Sequence, residues 1–240
     1  MSTDTGRSTL LGLGYVAVYV ALDAVSFVQP LLKLGITPWN PQAGLTLAFL
    51  LWRGPRHAGW TFAAALLAEI VVRGMTAPGA DLAAAAAAIA VCYGTVAYAL
   101  RRCALVTPIA SARDAVLVLL GSTAAALVVA LAYVALFVRA GALPVGEAGH
   151  AVARYWVGDL NGVLTLAPLL LMLAHRNAAP VAAPPRWGLR GLQVLVLAAA
   201  LWLVFGARPG QDVQFVYALF VPMVSIALAE GVVGATLATL

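Results

Sequence analysis

The chain has 240 residues, of which 63% are hydrophobic and only 10% charged, with a mean hydropathy of +0.98. A soluble domain carries about 25% charged residues, so the composition argues against a soluble fold and for a polytopic membrane protein in contact with the lipid bilayer. The net charge of +5 does not point to nucleic acid, because no basic helix interleaves with aromatics. Lys and Arg gather instead in short loops, the pattern of loops that face the cytoplasm.

An apolar span takes about 20 residues, with a range of about 17–25. In chain order the spans are predicted at Leu10 to Val28, Pro38 to Trp52, Ala58 to Val72, Leu82 to Leu100, Ala115 to Val138, Tyr155 to Leu173, Leu189 to Phe205 and Val213 to Leu228. The second is short unless its polar head is buried in protein. The fourth is rich in Ala, which favours helix. Pro168 and Pro222 fall inside spans, where a bilayer bundle tolerates them as kinks. Apolar character resumes after Glu230, so the chain is expected to stop in front of a further segment. The fold class is therefore all-α: a polytopic transmembrane helical bundle of about eight spans, forming one integral-membrane domain over residues 1–240.

Orientation follows from the cations. With the N-terminus inside, Arg7, Arg53, Arg56, Arg101, Arg102, Arg113, Arg176, Arg186 and Arg190 face inward, and Lys33, Arg73, Arg139, Arg154 and Arg208 face outward. That bias predicts an N-in, C-in topology and a multi-pass protein of the cell (inner) membrane.

Under this topology four polar residues fall at one depth. Asp23 lies five residues before the end of the first span and Gln42 four after the start of the second. Glu69 lies four before Arg73, and Asp159 four after Tyr155. At a rise of about 1.5 Å per residue they sit roughly 6–8 Å below the outer surface. Asn40 and Asn161 lie near the same level, with Trp39 and Trp156 expected at the mouth. Ionisable groups at membrane depth mark functional sites by default. The expected ligand-binding set is thus Asp23, Trp39, Asn40, Gln42, Glu69, Trp156, Asp159 and Asn161. Their crowding favours a cation or an amine, or keeps one carboxyl protonated. A structural alternative stays open, in which these groups cross-link helices and Glu69 pairs with Arg73, or Asp159 with Arg154. Gly158 and Gly162 fit a small-xxx-small spacing that permits close helix approach. The run from Gly44 to Leu51 also echoes the run from Gly162 to Leu170, which leaves a parallel internal repeat open.

Other chemistry finds little support. His57, His150 and His175 fall in or near loops on both sides, so no shared metal site is expected, and no span carries a His for haem. Cys92 and Cys103 show no ligand pairing. Neither H-E-x-x-H nor G-x-S-x-G occurs, so no catalytic residues are assigned and no particular cofactor is indicated.

Three blocks carry a resemblance. Pro38-Trp39-Asn40-Pro41-Gln42-Ala43-Gly44 is similar to the W-x-P-x-G signature of the membrane-associated sensor domains of the first type, the MASE family. Trp156-Val157-Gly158-Asp159-Leu160-Asn161-Gly162, with Pro168 after it, resembles that family's W-x-G-D-x-x-G run. Phe215 to Leu240, with Pro222, Gly231 and Gly234, resembles its last helix. The resemblance implies a sensory input domain of a bacterial signal-transduction protein, joined to a cytoplasmic output module of histidine kinase or diguanylate cyclase type. It implies an outward-facing polar pocket for a small ligand or membrane partner protein, relay through the C-terminal helix, and leaves a homodimer open. Glu69 departs from the family pattern, where an uncharged amide is expected, and makes the pocket more acidic. The alternative is a small-solute or cation transporter, or a transporter subunit, using the same acids.

Overall fold

The computed structural model describes residues 2–27, 34, 36–37, 39–103, 105, 112–174 and 187–202. Helices dominate: α1 (Ser2–Ser26), α2 (Pro41–Arg53), α3 (Ala58–Val71), α4 (Gly79–Arg102), α5 (Ala112–Arg139), α6 (Ala148–Ala174) and α7 (Trp187–Leu201). No strand occurs among the described residues, so the all-α expectation holds. The predicted eighth span, Pro222 and the block from Phe215 to Leu240 lie outside the described residues, as do Lys33, Pro38, Arg176, Arg186 and Arg208.

The chain divides into two compact units, Met1–Ala174 and His175–Leu240. Among the described residues of the second, α7 is an apolar helix with Leu192, Val194 and Leu195 exposed. The first unit holds α1 to α6 around α2. At 13 residues α2 is about 20 Å long, too short to cross a bilayer of about 30 Å alone. It does not need to, because it packs against α1, α4 and α6, most extensively against α6. Ten of its residues are buried, from Pro41 to Leu51, including Gln42 and Thr46.

Polar contacts set the helix directions. The Tyr15 hydroxyl lies 2.8 Å from that of Thr46, and Gln42 donates to Asp23 at 3.0 Å, so α1 runs antiparallel to α2. Thr61 meets Tyr15 at 3.2 Å and Arg73 meets Asp23 at 2.6 Å, so α3 runs with α1. Arg101 reaches the Leu51 carbonyl at 2.7 Å while Tyr93 lies beside Asp159, so α4 runs with α2. Asn40 beside Gly158 and Gly44 beside Gly162 and Leu166 make α6 parallel to α2. Consecutive helices in this unit thus alternate, as short connections require.

The outer faces are apolar. On α5 a stripe of Val118, Ser122, Ala125, Val129, Tyr133 and Phe137 is buried, while Val116, Leu120, Val128 and Leu131 on the other side are exposed. A helix apolar all round belongs in a core or in lipid. Meanwhile Asp23, Gln42, Glu69 and Asp159 are buried inside. This inside-polar, outside-apolar distribution is that of a membrane protein. Three helical stretches among the described residues are long and apolar enough to cross a membrane: Gly6–Ser26, Gly79–Arg102 and Arg113–Arg139.

One boundary differs in a way that matters. The sixth span was expected to begin at Tyr155, but α6 begins at Ala148. Arg154 ends the apolar run, yet nothing in Ala148 to Arg154 opposes helix. The W-x-G-D-x-x-G run therefore lies in mid-helix, not at a helix entrance, whereas Pro41 does stand at the first turn of its helix.

Candidate functional site

The site begins with the entry to α2. Pro41 presets the first helical turn, and Asn40 holds the capping position without capping, since its side chain makes no cap hydrogen bond. Its amide nitrogen instead donates to Asp159 Oδ1 at 2.9 Å, and its Oδ1 accepts from the Thr37 hydroxyl. The Asn40 backbone N–H donates to the Gly158 carbonyl at 3.0 Å. Non-helical backbone at membrane depth is tolerated only where it is buried in protein, and here α6 supplies the cover.

Glycines make that approach possible. A Cβ at Gly158 would overlap the Thr37 carbonyl, one at Gly162 the Asn40 carbonyl, and one at Gly44 the Gly162 carbonyl. The two sequence signatures are thus two sides of one backbone-to-backbone crossing, and Gly44 and Gly162, equivalent in the internal echo, touch.

Asp159 faces inward from this crossing. Its second oxygen accepts from the Tyr93 hydroxyl of α4 at 2.7 Å. It does not pair with Arg154; Asn40 and Tyr93 take its carboxylate. The N-terminus of α2 beside it favours negative charge.

A second cluster lies across the cavity. Arg73, seven percent exposed at its side chain, bridges Asp23 at 2.6 Å and Glu69 at 3.1 Å. Gln42 donates to the same Asp23 oxygen, and the Tyr133 hydroxyl donates to Glu69 Oε1 at 2.9 Å. Asp23 Oδ2, Glu69 Oε2 and Arg73 Nε are buried without a hydrogen-bond partner. Burying an ion pair costs desolvation, and breaking one by removing a partner costs far more. Arg73 is what makes two buried carboxylates tolerable here.

Gln42, Glu69, Arg73 and Asp159 line one enclosed cavity together with the rings of Tyr19, Tyr93, Tyr133 and Tyr155. The cavity offers about 20 Å³ to the centre of a water molecule, and one water needs roughly 10–15 Å³ by that measure. It therefore has room for a water-sized occupant, and anything larger has to displace the polar contacts around it.

The predicted residues divide as follows. Gln42, Glu69 and Asp159 line the cavity, while Asp23 and Asn40 stand one hydrogen bond behind it. Trp39 is half-buried, its indole 3.5 Å from the Thr165 hydroxyl on α6. Trp156 is half-buried too, but its indole N–H donates to the Thr123 carbonyl on α5 at 3.2 Å. Asn161 is exposed on the face of α6 that carries Val157 and Leu164. Thr37, Tyr93 and Tyr133, which donate hydrogen bonds into the site, and Tyr19 in the cavity wall are not singled out by the sequence. A Tyr inside an apolar span brings a hydroxyl that needs a partner, and that signal is present for all three tyrosines. Sequence spacing pairs Arg73 with Glu69 one turn back; its bond to Asp23, fifty residues away, comes only from the packing of α1 against α3.

No curated protein and no solved structure matches this chain. The MASE1 family profile does, over residues 8–240, across both compact units. A match over nearly the whole length decides the family: this chain belongs to MASE1, the integral-membrane sensory input domains of signalling proteins.

Proposed function

We propose that the α1–α6 unit receives the signal at the polar site between Asp159 and the Asp23–Arg73–Glu69 cluster. The occupant is a small ligand, or the contact of a membrane partner protein, arriving from the outer side. The protein spans the membrane about eight times with both ends inside, and it serves as a single input domain to a cytoplasmic output module of histidine kinase or diguanylate cyclase type. Relay through the last helix is part of the same reading. The observation that carries it is the convergence of three buried carboxylates, from α1, α3 and α6, and the Arg73 guanidinium just past α3, at one cavity in a family of sensors.

The under-satisfied atoms of the ion cluster support a site that rearranges. A ligand shifts an equilibrium only by its differential affinity for two states. An occupant that offers a partner to Glu69 Oε2 or Arg73 Nε, which the enclosed arrangement leaves without one, has such a differential. The Asp159→Asn substitution keeps the shape and still accepts from Tyr93, but removes the charge. In the protein joined to its output module it should change basal or stimulated output while expression and membrane insertion stay normal. Unchanged output at normal expression would overturn the reading and leave the cluster a helix cross-link. Solute flux in vesicles that depends on Asp159 would favour transport instead.

A further inference from the structure

Charge is unevenly distributed over the described side chains of the first unit. At the end formed by the start of α1 and the close of α2 stand Arg7, Arg53, Arg56, Arg101, Arg102 and Arg113. The one acid there among described side chains is Asp114. At the opposite end Asp23, Glu69, Asp81 and Glu147 outnumber Arg73, Arg139 and Arg154. The basic end also holds a shaped feature. Arg7, Ser8 and Leu11 of α1 and Trp52 and Arg53 of α2 line a pocket of about 260 Å³. None of the ion pairs among the described residues engages Arg7 or Arg53; Arg53 lies over the Trp52 ring at 5.4 Å.

We propose that this pocket binds the phosphate headgroup of an anionic glycerophospholipid in the leaflet at that end. The arrangement follows the layers of a bilayer. Arg7, Ser8 and Arg53 stand at headgroup level, where a guanidinium meets phosphate with two parallel hydrogen bonds. Trp52, 42% exposed, has the amphipathic ring that anchors at the membrane interface. Leu11, on the same face of α1 as Arg7 and Ser8, continues toward acyl-chain depth. Basic pockets between transmembrane helices take anionic headgroups for these reasons. The inference goes beyond the sensory reading and does not depend on it.

The test is native mass spectrometry of the 240-residue chain with equal amounts of phosphatidylglycerol and phosphatidylcholine of the same acyl chains. Phosphatidylglycerol should be retained in preference. Each of Arg7→Gln and Arg53→Gln should reduce that preference about fivefold, and the pair roughly thirtyfold. Arg102→Gln with Arg113→Gln, at the same end but outside the pocket, should leave it unchanged. Arg7→Lys with Arg53→Lys keeps the charge but not the paired hydrogen bonds, and should retain more of the preference than the Gln pair and less than the unsubstituted chain. If the double Gln variant aggregates, the single variants decide on the same criterion. Equal retention of the two lipids, or equal loss in the control pair, would overturn the proposal. Displacement by glycerol phosphate at matched concentration would overturn the lipid as the source of the phosphate.

Discussion

Adding one methyl group at Gly162 tests the crossing on which the site depends. An alanine Cβ there would lie 2.5 Å from the Asn40 carbonyl carbon and closer still to its oxygen. Carbon atoms pack at about 3.5–4.0 Å, so the segment entering α2 must retreat by about 1 Å. The obstacle is backbone, which cannot swing aside as a side chain can. Overpacking of this kind costs about 1–3 kcal/mol. The retreat also lengthens the Asn40–Asp159 hydrogen bond, an interhelical polar contact of about 0.6–1.7 kcal/mol in a bilayer. Alanine recovers about 1 kcal/mol of helix propensity, so the comparison should be with Gly14→Ala. Gly14 lies inside α1 with nothing within 4 Å of its Cβ position, and it gains the same propensity term. Gly162→Ala should therefore be less stable than Gly14→Ala by about 2–5 kcal/mol. The assay is reversible unfolding of the solubilised chain, followed by tryptophan fluorescence. Equal stability of the two variants, within about 0.5 kcal/mol, would refute the close crossing and with it the placement of Asn40 beside Asp159.

Removing the cation by Arg73→Met should cost about 3–5 kcal/mol in the same assay, because two buried carboxylates lose their counter-charge. Adding Asp23→Asn and Glu69→Gln to that variant should recover much of the loss, and a further loss would contradict the ion cluster. Tyr93→Phe removes one donor from Asp159 and should cost about 0.6–1.7 kcal/mol, with no change expected if Asp159 is held elsewhere. Cysteine labelling just after Arg102 should read cytoplasmic, and labelling at Gly79 and Gly146 external; the reverse pattern would overturn the N-in orientation.

Composition and periodicity determined the class of this protein. An apolar run has few ways to satisfy its backbone in lipid except as a helix, so the first seven predicted spans correspond to seven helices, with described ends that differ by up to eight residues. The polar residues stand out for a similar reason: a buried carboxylate is costly wherever the fold puts it, which singled out Asp23, Glu69 and Asp159 before any partner was known. Tertiary structure decided which partner each one took. Asp23 and Arg73 are fifty residues apart, and Asn40 and Asp159 more than a hundred, and hydropathy carries no information on pairing at that range. Asn161 shows the limit most plainly. It stands two residues from Asp159 in the same helix, which turns it about 200° away from the site, onto the face with Val157 and Leu164. The depth of a residue can be counted along a span, but the side of the helix that faces the cavity depends on which helices pack around it.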